Sequence, residues 1–151
     1  MTASLILPPA LRRAIEAAAE AAYPQEFCAL LLGRALCGKA AAWRVEDWRP
    51  AANVHPQPER HFELDPAVHF ATLRALRDDA SGLCLLGHVH SHPDAEAVPS
   101  ATDLSMAFDP DMVWLILSVR HGKAGELTAW TPPTADKPAT FAKILLKTEN
   151  S

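Results

Sequence analysis

With 151 residues, 49% of them apolar and 21% charged, the chain has the size and composition of one soluble globular domain, read here as residues 1–151. A net charge of -4 without any run of Lys or Arg argues against a nucleic acid or an anionic membrane as the main partner. Cys28, Cys37 and Cys84 make no disulfide framework, no run of about 18 apolar residues occurs, and no basic region leads into an apolar signal segment, so a reducing cytoplasm is the expected location.

Taken in chain order, Ser4 to Leu7 reads as a short strand, and Pro8-Pro9 introduce a helix over 10–23 rich in Ala, Leu, Arg and Glu at helical spacing. The apolar run 26–33, closed by Gly33, has the length of a buried strand, and residues 39–49 alternate around Trp43, Val45 and Trp48 as its hairpin partner. Residues 49–62 carry three prolines and no periodicity, which predicts an irregular surface segment. A short strand over His61 to Leu64 then leads through Asp65-Pro66, an N-cap followed by proline, into a helix ending near Asp79. Residues 83–92 form an apolar, centrally placed strand, and Ser100 opens a short helix to about Phe108. Met112 to Val119 and Glu126 to Trp130 make a second hairpin, and residues 141–147 a closing strand with Ala142, Ile144 and Leu146 on one face. The expected class is α/β or α+β, with a mixed, curved sheet flanked by helices in a three-layer arrangement.

The chemistry concentrates near residue 90. Successive side chains of a strand point to opposite faces, so His90 and His92 share one face and can chelate a single ion. The loop from Pro93 to Pro99 is long enough to bring Asp103, in the first turn of the next helix, alongside them. Two histidines and a carboxylate leave a tetrahedral zinc one position for water, the mark of a catalytic site. Ser100 and Asp103 also have the spacing of a capping box, and the isolated His-Ser-His triplet also fits a plain surface pair, so both readings stay open on these residues alone. His88 lies on the same face by parity and is a candidate supporting residue behind the ligands. His55, His61, His69 and His121 lack ligand spacing. No His-Glu-x-x-His motif, Pro-Cys-x-x-Cys pair or Gly-x-Ser-x-Gly elbow is present.

The stretch GHVHSHPDAEAVPSATD resembles the core of the JAMM, or MPN-domain, metalloprotease family. The family pattern is His-x-His, seven residues, Ser, two residues, Asp, and His90, His92, Ser100 and Asp103 meet each spacing. YPQEFCALLLG is similar to the family's catalytic-glutamate segment, with Glu26 in the glutamate's place. The resemblance implies one zinc per chain held by His90, His92 and Asp103, with Glu26 as general base and Ser100 assisting at the scissile carbonyl. It further implies a stand-alone bacterial-type peptidase or isopeptidase acting after the C-terminal Gly-Gly of a ubiquitin-like or sulfur-carrier protein. A non-catalytic MPN interaction module, or a peptidase acting on cell-wall or phage-tail peptides, is the competing expectation.

Overall fold

The structure is a computed structural model that describes residues 2–107, 109–136 and 140–148. Among these residues lie β1 (Ser4–Ile6), α1 (Pro9–Ala22), β2 (Cys28–Ala35), β3 (Ala42–Ala51), α2 (Pro66–Arg77), β4 (Cys84–Pro93), α3 (Ala101–Ser105), β5 (Val113–Arg120), β6 (Lys123–Thr131) and β7 (Ala142–Lys147). The strands follow the order β1-β3-β2-β4-β5-β6-β7 and curl until β1 pairs in parallel with both β3 and β7, closing the sheet. The β4–β5 pair is also parallel; the β2–β3, β2–β4, β5–β6 and β6–β7 pairs are antiparallel, which makes the sheet mixed as expected. No helix among the described residues is long and apolar enough to cross a membrane.

Side-chain parity sorts the central strands into two faces. Ala29 and Leu31 of β2, Val89 of β4 and Leu115, Leu117 and Val119 of β5 join Ile15 and Ala19 of α1 in the main core. The opposite face carries Leu30 and Leu32 of β2, His88, His90 and His92 of β4, and Trp114 of β5. There α2 covers the sheet, its Thr72 and Leu76 meeting Leu32 across a small cleft. Because β4 and β5 are buried on both faces, their sequences read as apolar runs rather than alternations. Asp65 caps α2 as expected, its carboxylate accepting from the Ala67 amide.

Two sequence expectations are corrected. Residues 61–64 form no strand; only an isolated bridge joins Leu64 to Asn53. The Asn53 side-chain oxygen takes the Glu63 amide, so that donor is lost to any ladder. The short helix after Ser100 ends at Ser105, and Phe108, its expected end, lies outside the described residues.

Gly87 is required where β4 meets β5. A Cβ there would stand 1.8 Å from the Val113 carbonyl oxygen, a collision with backbone that no side-chain motion relieves. Gly38, in the β2–β3 connection, has its nearest neighbour at 3.9 Å. Gly87→Ala is therefore expected to lower the unfolding free energy by about 2 kcal/mol or more, and Gly38→Ala to leave it unchanged. Denaturant titration of both variants checks the contrast.

Candidate metal centre

The centre lies where β4 runs out of the sheet. His90 is fully buried and His92 nearly so, and their Nε2 atoms approach to 3.1 Å. Past Pro93 the chain turns at Asp94, whose φ of 54° lies in the left-handed region that Asp tolerates. Four contacts hold the returning loop. The Asp94 amide bonds to the Val119 carbonyl, and the Ser118 hydroxyl donates to Ala95, the Thr128 hydroxyl to Ala97 and His92 Nδ1 to Glu96, all at carbonyl oxygens. The loop is thereby aimed so that α3 starts beside the histidines.

In the first turn of α3 the two readings of Ser100 and Asp103 both hold. The Ser100 hydroxyl accepts from the Asp103 amide at 3.0 Å while Asp103 Oδ2 accepts from the Ser100 amide at 2.8 Å, a complete capping box. The same carboxylate, 4% exposed, also faces the imidazoles, with Oδ1 at 3.4 Å from His90 Nε2 and Oδ2 at 3.2 Å from His92 Nε2.

Glu26 reaches the group from the other side. It precedes β2 rather than lying within it, contrary to the strand expected over 26–33. Phe27 and Ser91 explain its position: the Phe27 amide donates to the Ser91 hydroxyl at 2.8 Å, and the Ser91 amide to the Phe27 carbonyl at 2.9 Å. Ser91 thus pins the segment carrying Glu26 to β4, between the two histidines it separates in sequence. Ligand atoms of Glu26, His90 and His92 lie within 4.8 Å of one another, and this buried group could hold a metal ion.

The electrostatics follow from burial and proximity. Burial pushes the Glu26 carboxyl up to about 7, with Asp103 adding to the rise and His92 opposing it. Burial would likewise raise Asp103, but ring nitrogens of His90 and His92 and the Ser100 amide hold it well below the usual carboxylate range. His90 is lowered, chiefly by burial. His92 is also disfavoured by burial as a cation, but the Asp103 carboxylate and the Glu96 carbonyl reverse the balance and raise it. Zinc bonds of 2.0–2.1 Å at tetrahedral angles span edges of about 3.3 Å. The two ring nitrogens stand 3.1 Å apart, close to such an edge, and each faces a different oxygen of Asp103, Oδ1 at 3.4 Å from His90 and Oδ2 at 3.2 Å from His92.

A model of the family Prok-JAB, prokaryotic homologs of the JAB domain, matches residues 8–132. The chain belongs to this family. The JAB domain is the JAMM, or MPN, domain that the sequence resembles. This prokaryotic JAB chain is 36% identical over 110 residues to the desampylase of Haloferax volcanii, covering 72% of the chain and 71% of that protein. It is 29% identical over 126 residues to the CysO-cysteine peptidase of Mycobacterium tuberculosis, covering 83% and 81%. The solution structure of a Desulfitobacterium hafniense protein matches with a TM-score of 0.77 at 32% identity, over 96% of this chain and 94% of that one.

Sequence reading missed Asn53, which organises the irregular segment beside Glu26. Its side-chain nitrogen donates to the carbonyls of Glu26, Pro58 and His61, and its oxygen accepts from the His55 and Glu63 amides. The only signal in the sequence was a polar residue at the start of a proline-rich stretch. Asn53→Ala is expected to lose about 1–3 kcal/mol of unfolding free energy and to speed amide exchange at His55 and Glu63, which hydrogen-exchange measurements would show.

Proposed function

We propose that this prokaryotic JAB protein is a zinc peptidase or isopeptidase that hydrolyses the bond after the C-terminal Gly-Gly of a ubiquitin-like or sulfur-carrier protein. In this reading His90, His92 and Asp103 are the zinc ligands, one ion per chain, Glu26 is the general base and Ser100 assists at the scissile carbonyl. The observation that carries it is the meeting of buried His90 and His92, their Nε2 atoms 3.1 Å apart, with two buried carboxyls, Asp103 facing both rings and Glu26 within 4.8 Å of their ligand atoms. The enzyme names of the two relatives support the reaction class, and the name CysO-cysteine peptidase points toward a protein-borne bond as substrate. Three free thiols suit a reducing cytoplasm.

When bound, zinc supplies Lewis acidity, polarising a carbonyl and making water more acidic. Glu26 takes the proton of the attacking water at a carboxylate oxygen and delivers it to the departing amine. An acid is a costly structural choice at a 6% exposed position, where burial lifts it to about 7 despite the nearby His92, so proton transfer accounts for it better than packing. The Ser100 hydroxyl accepts from the Asp103 amide, which leaves its own proton to donate to the substrate carbonyl oxygen as charge develops there. The capping box therefore orients a ligand and an oxyanion donor together. Glycine before the cut lets the substrate backbone approach so enclosed a site.

His90→Ala/His92→Ala is expected to abolish metal in protein purified without chelator, where the native chain carries about one zinc. Stoichiometric zinc in the double variant would refute the ligand assignment. Glu26→Gln keeps size and hydrogen-bonding shape, so zinc content and Tm should persist while single-turnover cleavage of a Gly-Gly-extended carrier falls roughly 100-fold or more. Full activity in Glu26→Gln sinks the mechanism, and a native chain inert on every Gly-Gly carrier but active on other peptides redirects the substrate.

A further inference from the structure

We propose that His88 is a positioning residue: its Nε2 accepts the Nδ1 proton of His90 and so fixes the tautomer in which His90 Nε2 keeps its lone pair for the metal. The proposal rests on the metal site of the preceding reading. His90 is 0% exposed, so each ring nitrogen must find its partner inside the protein. Its Nε2 faces His92 and Asp103, and its Nδ1 lies 3.3 Å from His88 Nε2. A neutral imidazole carries one N–H and one lone pair, so presenting the lone pair at Nε2 requires a proton at Nδ1 and an acceptor for it.

His92 solves the same problem with the Glu96 carbonyl, because it stands where β4 is leaving the sheet. His90 stands deeper, where β4 pairs with Cys28 of β2 on one side and Ile116 of β5 on the other. Backbone carbonyls there are engaged in the ladders, so the acceptor has to be a side chain on the same face. The residue two positions back is the one that strand geometry supplies. With its Nε2 turned toward Nδ1 of His90, His88 stands outside the group of Glu26, His90 and His92 whose ligand atoms meet.

The His88 ring is held for this task. Trp114 meets it edge-on at 4.4 Å between centroids, and Phe62 lies tilted against it at 5.2 Å while stacking on His90 at 4.3 Å and 18°. Phe62 thus spans both imidazoles and limits their rotation. Beside them is a cavity of about 250 Å³ whose wall includes Phe62, Trp114 and His88 together with Glu63 and His69, and among the described residues the hydrogen-bond partner found for His90 Nδ1 is His88 Nε2.

The test compares His88→Leu, which removes the acceptor, with His88→Gln, whose amide oxygen can take the place of Nε2. Zinc affinity is measured by chelator competition on the full chain, with the Tm of each metal-free variant alongside. Leu should weaken zinc binding about 10- to 100-fold, and Gln should restore most of it. On the zinc-loaded native chain, long-range ¹H–¹⁵N correlation should show His90 protonated at Nδ1, a readout that needs no variant to fold. Native affinity in a folded His88→Leu protein, equal losses in both variants, or zinc on His90 Nδ1 would each overturn the proposal. A native chain that binds no zinc would instead remove the metal-site reading beneath it.

Discussion

An ionised carboxylate buried at 4% exposure has to be surrounded by donors, and Asp103 is where the demands of helix, strand and loop meet. One of its oxygens closes the first turn of α3 through the Ser100 amide, and the pair together faces His90 and His92. That arrangement works only if the helix starts within hydrogen-bond reach of the end of β4. The loop between them is accordingly clasped by side chains from β5 and β6, Ser118 and Thr128, rather than left to its own turn preferences. Without the carboxylate the clasps would hold a loop with no purpose, and without the clasps the carboxylate would be stranded.

The two faces of β4 meet different requirements. Val89 faces the apolar core shared with α1, and the alternate positions hold three imidazoles, two of which, His88 and His90, pack against Phe62 and Trp114. The core face supplies the stiffness that a face able to hold a metal would need, because burial of Leu115 and Leu117 next door leaves the strand little freedom to shift register. Gly87 marks the start of this region, at the irregular step in the β2–β4 pairing. There the backbones of β4 and β5 approach too closely for any side chain, which sets the spacing at which His88 and Trp114 meet.

Much of this was legible because the relevant physics is local. Strand parity alone puts His88, His90 and His92 together, and helix capping explains Ser100 and Asp103. Glu26 was legible only through family resemblance and the oddity of an acid in an apolar run; nothing local announced that Ser91 would tie it to β4. Asn53, Ser118 and Thr128 were invisible because their partners are backbone carbonyls far away or inside an irregular loop, where no periodicity betrays them. The strand expected at 61–64 failed for a related reason: the alternation His-Phe-Glu-Leu is genuine, but Asn53 claims the Glu63 amide and the His61 carbonyl first. The meeting of β1 with β7 was equally hidden, since it joins opposite ends of the chain.

That last pairing has a consequence for how the molecule behaves among its own copies. Three residues, Ser4 to Ile6, form three register pairs with β3 and three with β7. They act as a keystone, and pulling them out would uncover two edges at once, one of them carrying the half-exposed Leu145. Unpaired edges recruit strands from neighbouring molecules. Resistance of this protein to intermolecular β-assembly therefore hangs on its shortest strand, and a bulky fusion placed against Ser4 would load the weakest seam of the barrel.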